Sequence, residues 1–440
     1  MAELKQLARQ IFQETLAAID IPEAMRRKLQ RKSTRVRCGE MTVDLAAYRT
    51  IHVMAIGKAA HAMAEGLASV LAPDFSASGI VAAPTEPQRP RAGMRYFRAG
   101  HPVPNEASLA AAQEILGLLK QCGEGSLVVF LLSGGGSALV EQLLAPGATL
   151  EDVQMLHRAL VTCGAPIEAI NAIRKHFSAV KGGRLAAAAP RAMKLTYAVS
   201  DVPAGRESAL ASGPTIPDPT TREEAAQILK KFGLREQLPE RLRRWLEETG
   251  MPETPKPGDP AFARSHFCLL LGLHDLFHPA HVAAEAAGFV TCCDNTTDDW
   301  PLEKAAEYLL TQLENLRAAN PERPVALIAD GEVSSPVTGS GIGGRNSAFT
   351  LACVERIAGR PIAVLSAGTD GIDGNSPAAG AVADGHTLER ARASGLDPEE
   401  YFRRSDAYTF FERLGDAIHT GPTGNNLRDL RIFLAHPKRG

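Results

Sequence analysis

At 440 residues the chain exceeds the usual span of one compact domain, so its length predicts two domains, or one large domain with insertions, and excludes a small stapled scaffold. Hydrophobic residues at 45% and charged residues at 22% are enough for a packed core, which excludes wholesale disorder. The 48 Lys and Arg against 50 Asp and Glu leave a formal net charge of -2 and no basic footprint for nucleic acid or a membrane surface, so an anionic partner must be small and locally bound.

Apolar positions at helical spacing over 4–19 predict an opening helix, which Pro22 and the basic stretch 26–37 bring to an end. The first residues include Glu3 and lack the apolar core of a signal peptide. Residues 51–56 read as a strand, and Gly57-Lys58 then opens an Ala-rich helix from 59 to about 71. The same grammar recurs at 127–132 before Ser133-Gly134-Gly135-Gly136-Ser137, and at 195–199 before Ser200-Asp201-Val202-Pro203. Later, 325–329 runs into Asp330-Gly331-Glu332, and 362–365 runs into Ser366-Ala367-Gly368-Thr369-Asp370-Gly371. Strands that are apolar almost throughout and alternate with helices predict an α/β fold with parallel sheets covered on both faces. The charged, proline-marked stretch 236–264 is read as a linker between an N-terminal domain, 1–235, and a smaller C-terminal domain, 265–440. The longest apolar runs, 127–132 and 325–329, are too short to span a bilayer. The seven cysteines are odd in number and scattered, which predicts neither a disulfide framework nor a zinc site. A cytoplasmic protein is expected.

In open α/β sheets, ligands gather where loops leave the carboxyl ends of strands and backbone N–H groups point outward. The chemistry-bearing residues fall in such loops. In the run 133–137, three glycines let the backbone approach an anion and two serines add hydroxyls; the alternative is a tight turn with no ligand. Lys58, at the start of a helix, opposes the helix dipole unless it faces a phosphate or carboxylate. The run 339–346 contains a formal GxGxxG, but residues 330–338 separate it from its strand, where a dinucleotide fingerprint would follow at once. It is read instead as a nest leading Arg345 into a helix, where the guanidinium stabilises a transferring group or pairs with a neighbouring carboxylate. Asp201, Glu332, Asp370 and Asp373 follow strands in loops marked by glycine or proline. Carboxylates so spaced suit a hard cation or general-base work; equally, each can cap a helix or brace a turn. A P-loop, the protein-kinase signatures and a GxSxG elbow are all missing.

As a set, these segments resemble the MOFRL family of glycerate kinases, also called hydroxypyruvate reductases of the tartrate pathway. The resemblance runs in order through Gly57-Lys58-Ala59-Ala60, Gly100-His101-Pro102-Val103-Pro104, 133–137, and Asn171 through Arg174-Lys175-His176 to Arg184. It continues through Ser200-Asp201-Val202-Pro203, Ala211-Ser212-Gly213-Pro214-Thr215, Gly343-Gly344-Arg345-Asn346, 367–374 and 420–425. It implies a Rossmann-like N-terminal domain with a parallel sheet and a smaller α/β C-terminal domain, with the active site in the cleft between them. It also implies ATP-dependent phosphorylation of D-glycerate at the 2-hydroxyl, with Mg2+. Lys58, Arg345, Asp201 and Asp370 match catalytic positions. Ser133, Gly134, Gly135, Gly136, Ser137, Glu332, Thr423 and Asn425 match substrate- or nucleotide-binding positions, and Asp201, Glu332 and Asp370 are the candidate metal ligands. Expected partners are glycerate and ATP, with no nucleic acid and no membrane, in a monomer or homodimer. The chain departs from the family pattern at Ala204-Gly205-Arg206, at Asp330, where glycine is usual, at Ser347-Ala348, and at Ser376-Pro377. Two further readings stand beside this one: an NAD(P)H-dependent hydroxypyruvate reductase, and a non-catalytic hydroxy-acid or nucleotide-binding protein.

Overall fold

The apolar run after Arg49 becomes the centre of a sheet. The computed structural model describes residues 2–202, 205–425 and 427–437, so Pro203 and Ala204 of the motifs above lie outside the described residues. Within one unit, residues 21–272, six strands form this sheet: β1 (Thr50–Ile56), β2 (Ser78–Ala83), β3 (Met94–Arg98), β4 (Ser126–Leu132), β5 (Met193–Val199) and β6 (Ser265–Leu271). Their order is β3-β2-β1-β4-β5-β6 and every neighbouring pair is parallel. This is the doubly wound arrangement, reversing direction between β1 and β4. β4 is buried at every position, as a strand covered by helices on both faces must be. Among the covering helices are Ala60–Leu71 and Glu106–Leu119, the second opened by a reciprocal Asn105–Ser108 cap.

The other unit comprises residues 1–20 and 273–440. Its strands are β7 (Val290–Asp294), β8 (Val325–Asp330), β9 (Ile362–Gly368), β10 (Gly380–Asp384), β11 (Ala417–Ile418) and β12 (Asp429–Ala435), in the order β7-β8-β12-β9-β10-β11. Here the expectation of a parallel sheet needs correction. β7 and β8 pair in parallel, but the wholly buried β12 inserts between β8 and β9 antiparallel to both, and β10 and β11 continue antiparallel.

The domain boundaries also move. The opening helix Ala2–Ala18 belongs with 273–440: Lys5 Nζ donates to Asp416 at 2.8 Å and Arg9 to the Ala417 carbonyl at 3.2 Å. Residues 265–271 belong with the first unit, because β6 continues its sheet beside β5. The stretch 236–264 is not a linker. Its prolines mark turns around the helix Glu240–Thr249, whose Leu242 is fully buried with Leu229, Leu234 and Leu238. Cys38 and Cys268, distant in sequence, form a disulfide between an antiparallel ribbon (30–44) and β6, a pairing the scattered cysteines did not predict. No helix among the described residues is long and apolar enough to cross a membrane.

One buried pair ties 236–264 into its unit. Lys175 Nζ donates to Asp218 Oδ1 at 3.1 Å, while Thr254 Oγ1 and Thr220 Oγ1 donate to Asp218 Oδ2 at 3.1 and 2.8 Å. Asp218 is wholly buried and Lys175 nearly so, and removing one partner of such a pair strands the other charge. Asp218→Ala is therefore expected to lose about 3–5 kcal/mol in urea denaturation. A loss below about 1 kcal/mol, the range of an exposed pair, would show that this tie does not hold the segment.

Candidate active site

The reversal in strand order brings two loops together. Ser133 N–H donates to the Ile56 carbonyl at 3.0 Å, Lys58 N–H to the Gly134 carbonyl at 2.9 Å, and Ala59 N–H to Ser133 Oγ at 3.0 Å. The turns after β1 and β4 are thus interlocked. A Cβ at Gly57, where φ is 134°, would run into both Ser133 Oγ and the Ser133 carbonyl. At Gly135, with φ 84°, a Cβ would lie 2.9 Å from the His101 ring and 3.3 Å from Lys58 Cγ. Lys58, His101 and the glycine turn therefore share one small region at the carboxyl ends of β1 and β4. The N–H groups of Lys58 and Ala59 are spent on this interlock. By contrast, the N–H groups of Gly135, Gly136 and Ser137 meet no acceptor among the described residues. Such consecutive free donors form an anion-binding concavity. Asp201 lies just past the carboxyl end of β5, on the next strand of the same sheet.

In the 273–440 unit the antiparallel insertion of β12 has a chemical result. Its first residue, Asp429, pairs with Gly368 at the carboxyl end of β9, and Leu430 pairs with Asp330 at the carboxyl end of β8. Arg345, the first residue of the helix Arg345–Ile357, is held there by two acids. Its Nε donates to Asp429 Oδ2 and its Nη1 to Glu332 Oε2 at 2.8 Å, with Nη2 also 2.8 Å from Glu332 Oε1. Both carboxylates push the guanidinium further toward its charged form, against the cost of burial. Arg345 and Glu332 are thus brought together. Asp429 was missed because a single acid before an apolar strand carries no glycine or proline punctuation; its place at the head of that strand was the only signal.

Asp370 is braced by its own turn: its Oδ1 accepts from Ile372 N–H at 3.1 Å, and its carbonyl accepts from Thr423 N–H at 3.1 Å. Thr423 Oγ1 donates to the Thr369 carbonyl at 2.6 Å, so the 420–425 turn packs on the 369–371 loop. Asn425 is buried, and its amide nitrogen donates to the Ile19 carbonyl at 2.6 Å. Asp373 takes the capping alternative. Its carboxylate accepts from Asn346 and Ser347 N–H at 2.9 and 2.8 Å and from Ser347 Oγ at 2.6 Å, fixing the helix start that carries Arg345. The formal GxGxxG also has a packing cause: a Cβ at Gly341 would meet the Arg404 carbonyl at 2.7 Å, and one at Gly344 would press on Asp373. Among the described residues, no three His, Cys, Asp or Glu gather as a metal site.

Comparison with known proteins gives consistent matches. Residues 7–247 match a domain of unknown function, DUF4147, and residues 325–429 match the MOFRL family. A D-glycerate 2-kinase of Thermotoga maritima is 33% identical over 98% of each chain. A glycerate 2-kinase of Pyrococcus horikoshii is 32% identical over 89% of this chain and 88% of its own. The crystal structure of a Thermotoga maritima glycerate kinase superposes with a TM-score of 0.85 at 34% identity, covering 99% of this chain and 100% of that one.

Asp330 yields a prediction of its own. It is wholly buried, and neither carboxylate oxygen meets a hydrogen-bond donor among the described residues. Burial, aided by Asp298 and opposed by Arg428 and Arg431, pushes it up to about 6. The folded state therefore holds a proton that the unfolded chain releases near the ordinary carboxylate value. Stability is present below that value and declines as pH rises toward about 6, at most by about 1.4 kcal/mol per pH unit. Asp330→Asn should flatten the decline and raise Tm at pH 7.5. An unchanged pH profile would mean that Asp330 is ionised throughout.

Proposed function

The chain belongs to the glycerate kinase family that carries the DUF4147 and MOFRL domains, and from that premise we infer that it phosphorylates D-glycerate at the 2-hydroxyl, using ATP and giving 2-phosphoglycerate and ADP. The 2-hydroxyl oxygen forms a bond to the γ-phosphorus, the bond from that phosphorus to the bridging oxygen of ADP breaks, and the hydroxyl proton leaves to a carboxylate. Such a transfer asks the protein for positioning and charge neutralisation more than for covalent chemistry.

The observation that carries this reading is the interlocked pair of turns after β1 and β4, where the Lys58 side chain lies beside a glycine turn with three open N–H donors. In this proposal Lys58 and residues 133–137 bind anionic groups of the substrates. Arg345, oriented by Glu332 and Asp429, stabilises charge on the transferring phosphoryl group. Asp201 and Asp370 are the candidates for receiving the hydroxyl proton. Mg2+ would enter as MgATP, which asks the protein for only one or two carboxylate oxygens. Asp201, Glu332 and Asp370 are the candidates to supply them, Glu332 while also holding Arg345. We take the working protein to be a cytoplasmic enzyme, monomeric or dimeric. No observation favours the reductase reading, because the turn after β1, where a dinucleotide fingerprint would stand, has no GxGxxG.

The deciding assay follows ADP release with D-glycerate and MgATP in one arm and NADH oxidation with hydroxypyruvate in the other; ADP release alone is expected. Lys58→Met should remove most of kcat/KM while Tm without ligand stays unchanged, and Lys58→Arg should rescue poorly because the planar fork does not reproduce a point charge. Arg345→Ala should lower kcat by on the order of a hundredfold or more. Near-normal kcat in either Lys58→Met or Arg345→Ala would take that residue out of the mechanism.

A further inference from the structure

A second polar region opens beside the glycine turn, within the 21–272 unit. Ser137 belongs both to that turn and to the wall of a small pocket, whose other polar walls are Glu141, His157 and Arg174 and whose apolar walls include Val153 and Leu156. The charges around this cavity do not balance. Glu141 is already satisfied: it pairs with the buried Lys181 and accepts from Ser178 Oγ at 2.6 Å. Arg174, mostly buried on the helix Ile167–Phe177, donates to no acceptor among the described residues, and Glu141 acts on it only at longer range. His157 offers no counter-charge. Burial first, then the positive charges of Arg174, Lys181 and His101, push it down to about 4, so it is neutral at pH 7. Among the described residues, the Arg174 guanidinium thus lines the pocket with no carboxylate hydrogen-bonded to it, the nearby Glu141 being engaged by Lys181 and Ser178.

We propose that Arg174 is the carboxylate clamp of this site, holding the acid group of a small hydroxy acid, a reading that rests on the kinase assignment above. A guanidinium meets a carboxylate through two parallel N–H···O bonds, which fix orientation as well as supplying attraction. The neighbouring hydrogen-bond chain fits the hydroxyl side of such a substrate. Ser212 Oγ donates to Asn171 Oδ1 at 3.2 Å, so its 2.8 Å contact with Ser137 Oγ is one in which Ser137 donates. The Ser137 oxygen then has lone pairs left to accept from a substrate hydroxyl. Asn171 and Arg174 stand one turn apart on the same helix, which couples that chain to the clamp. Ala211 and Ser212 are held at φ 50° and 58°, a conformation that costs non-glycine residues energy and that persists where the surroundings enforce it.

The test is calorimetric titration of the full chain with D-glycerate, with and without saturating ADP, alongside steady-state kinetics. For Arg174→Gln, affinity for D-glycerate should fall at least about tenfold and KM for D-glycerate rise by as much, with KM for ATP within about twofold. Arg174→Lys should fall between the two proteins, because it keeps the charge and loses the fork. Glycerol, which lacks the carboxylate, should bind the native and variant proteins equally weakly. Without ligand, the Tm of Arg174→Gln should equal or exceed the native value, since a cation repelled by Lys181 has been removed; a merely structural arginine would lower it. If Arg174→Gln fails to fold, Arg174→Lys carries the same readouts. Native D-glycerate affinity in the variants, a loss confined to ATP, or no D-glycerate binding by the native chain overturns the proposal. Arg174-dependent binding without any ADP release would instead sink the kinase reading and leave the clamp standing.

Discussion

Everything proposed for the 21–272 unit depends on the hydrogen bonds between the turn after β1 and the turn after β4. Parallel neighbours in a doubly wound sheet send their chains to opposite faces at one place, and there the two turns must pass each other closely. Gly57 permits that approach, since any side chain would strike Ser133. The Ser133 hydroxyl and the Gly134 carbonyl then take the N–H groups of Ala59 and Lys58, while the N–H groups of 135–137 meet no acceptor among the described residues. A rigid backbone concavity and an adjacent ammonium group follow from strand order and three or four small residues.

The 273–440 unit solves a different problem, that of holding a guanidinium in one orientation on the first residue of a helix. Positive charge is disfavoured at that end, and the cost is offset by Glu332 and Asp429 on either side of Arg345. Asp373 fixes the helix start itself through Asn346 and Ser347. Ser347 takes part in this cap, because its hydroxyl donates to the same carboxylate. Asp330 is a buried carboxyl group whose charge burial opposes.

Much of this was legible in the sequence. Strands buried on both faces are largely apolar, so β1, β4, β5, β8 and β9 announced themselves, and a turn marked by glycine or proline after each pointed to the sheet edge where ligands bind. The β12 insertion was not legible, because an apolar run carries no mark of its direction or of its neighbours. Asp429 was missed with it. The first helix looked like the start of the N-terminal domain, yet Lys5 and Arg9 find their partners more than four hundred positions away, at 415–417. Residues 236–264 misled for the opposite reason: proline and charge marked turns between well-anchored pieces, and the anchors Leu238 and Leu242 were outnumbered. Arg174 stood in a quoted motif, but only the cavity separates it from an ordinary helix-surface arginine.

The most direct measurement of the account's central claim is the position of the new phosphate in the product. A proton–phosphorus correlation spectrum of the material made from D-glycerate and MgATP should couple the phosphorus to the single proton on C2, as in 2-phosphoglycerate. Coupling to the two protons on C3, or no phosphorylated acid at all, would contradict it.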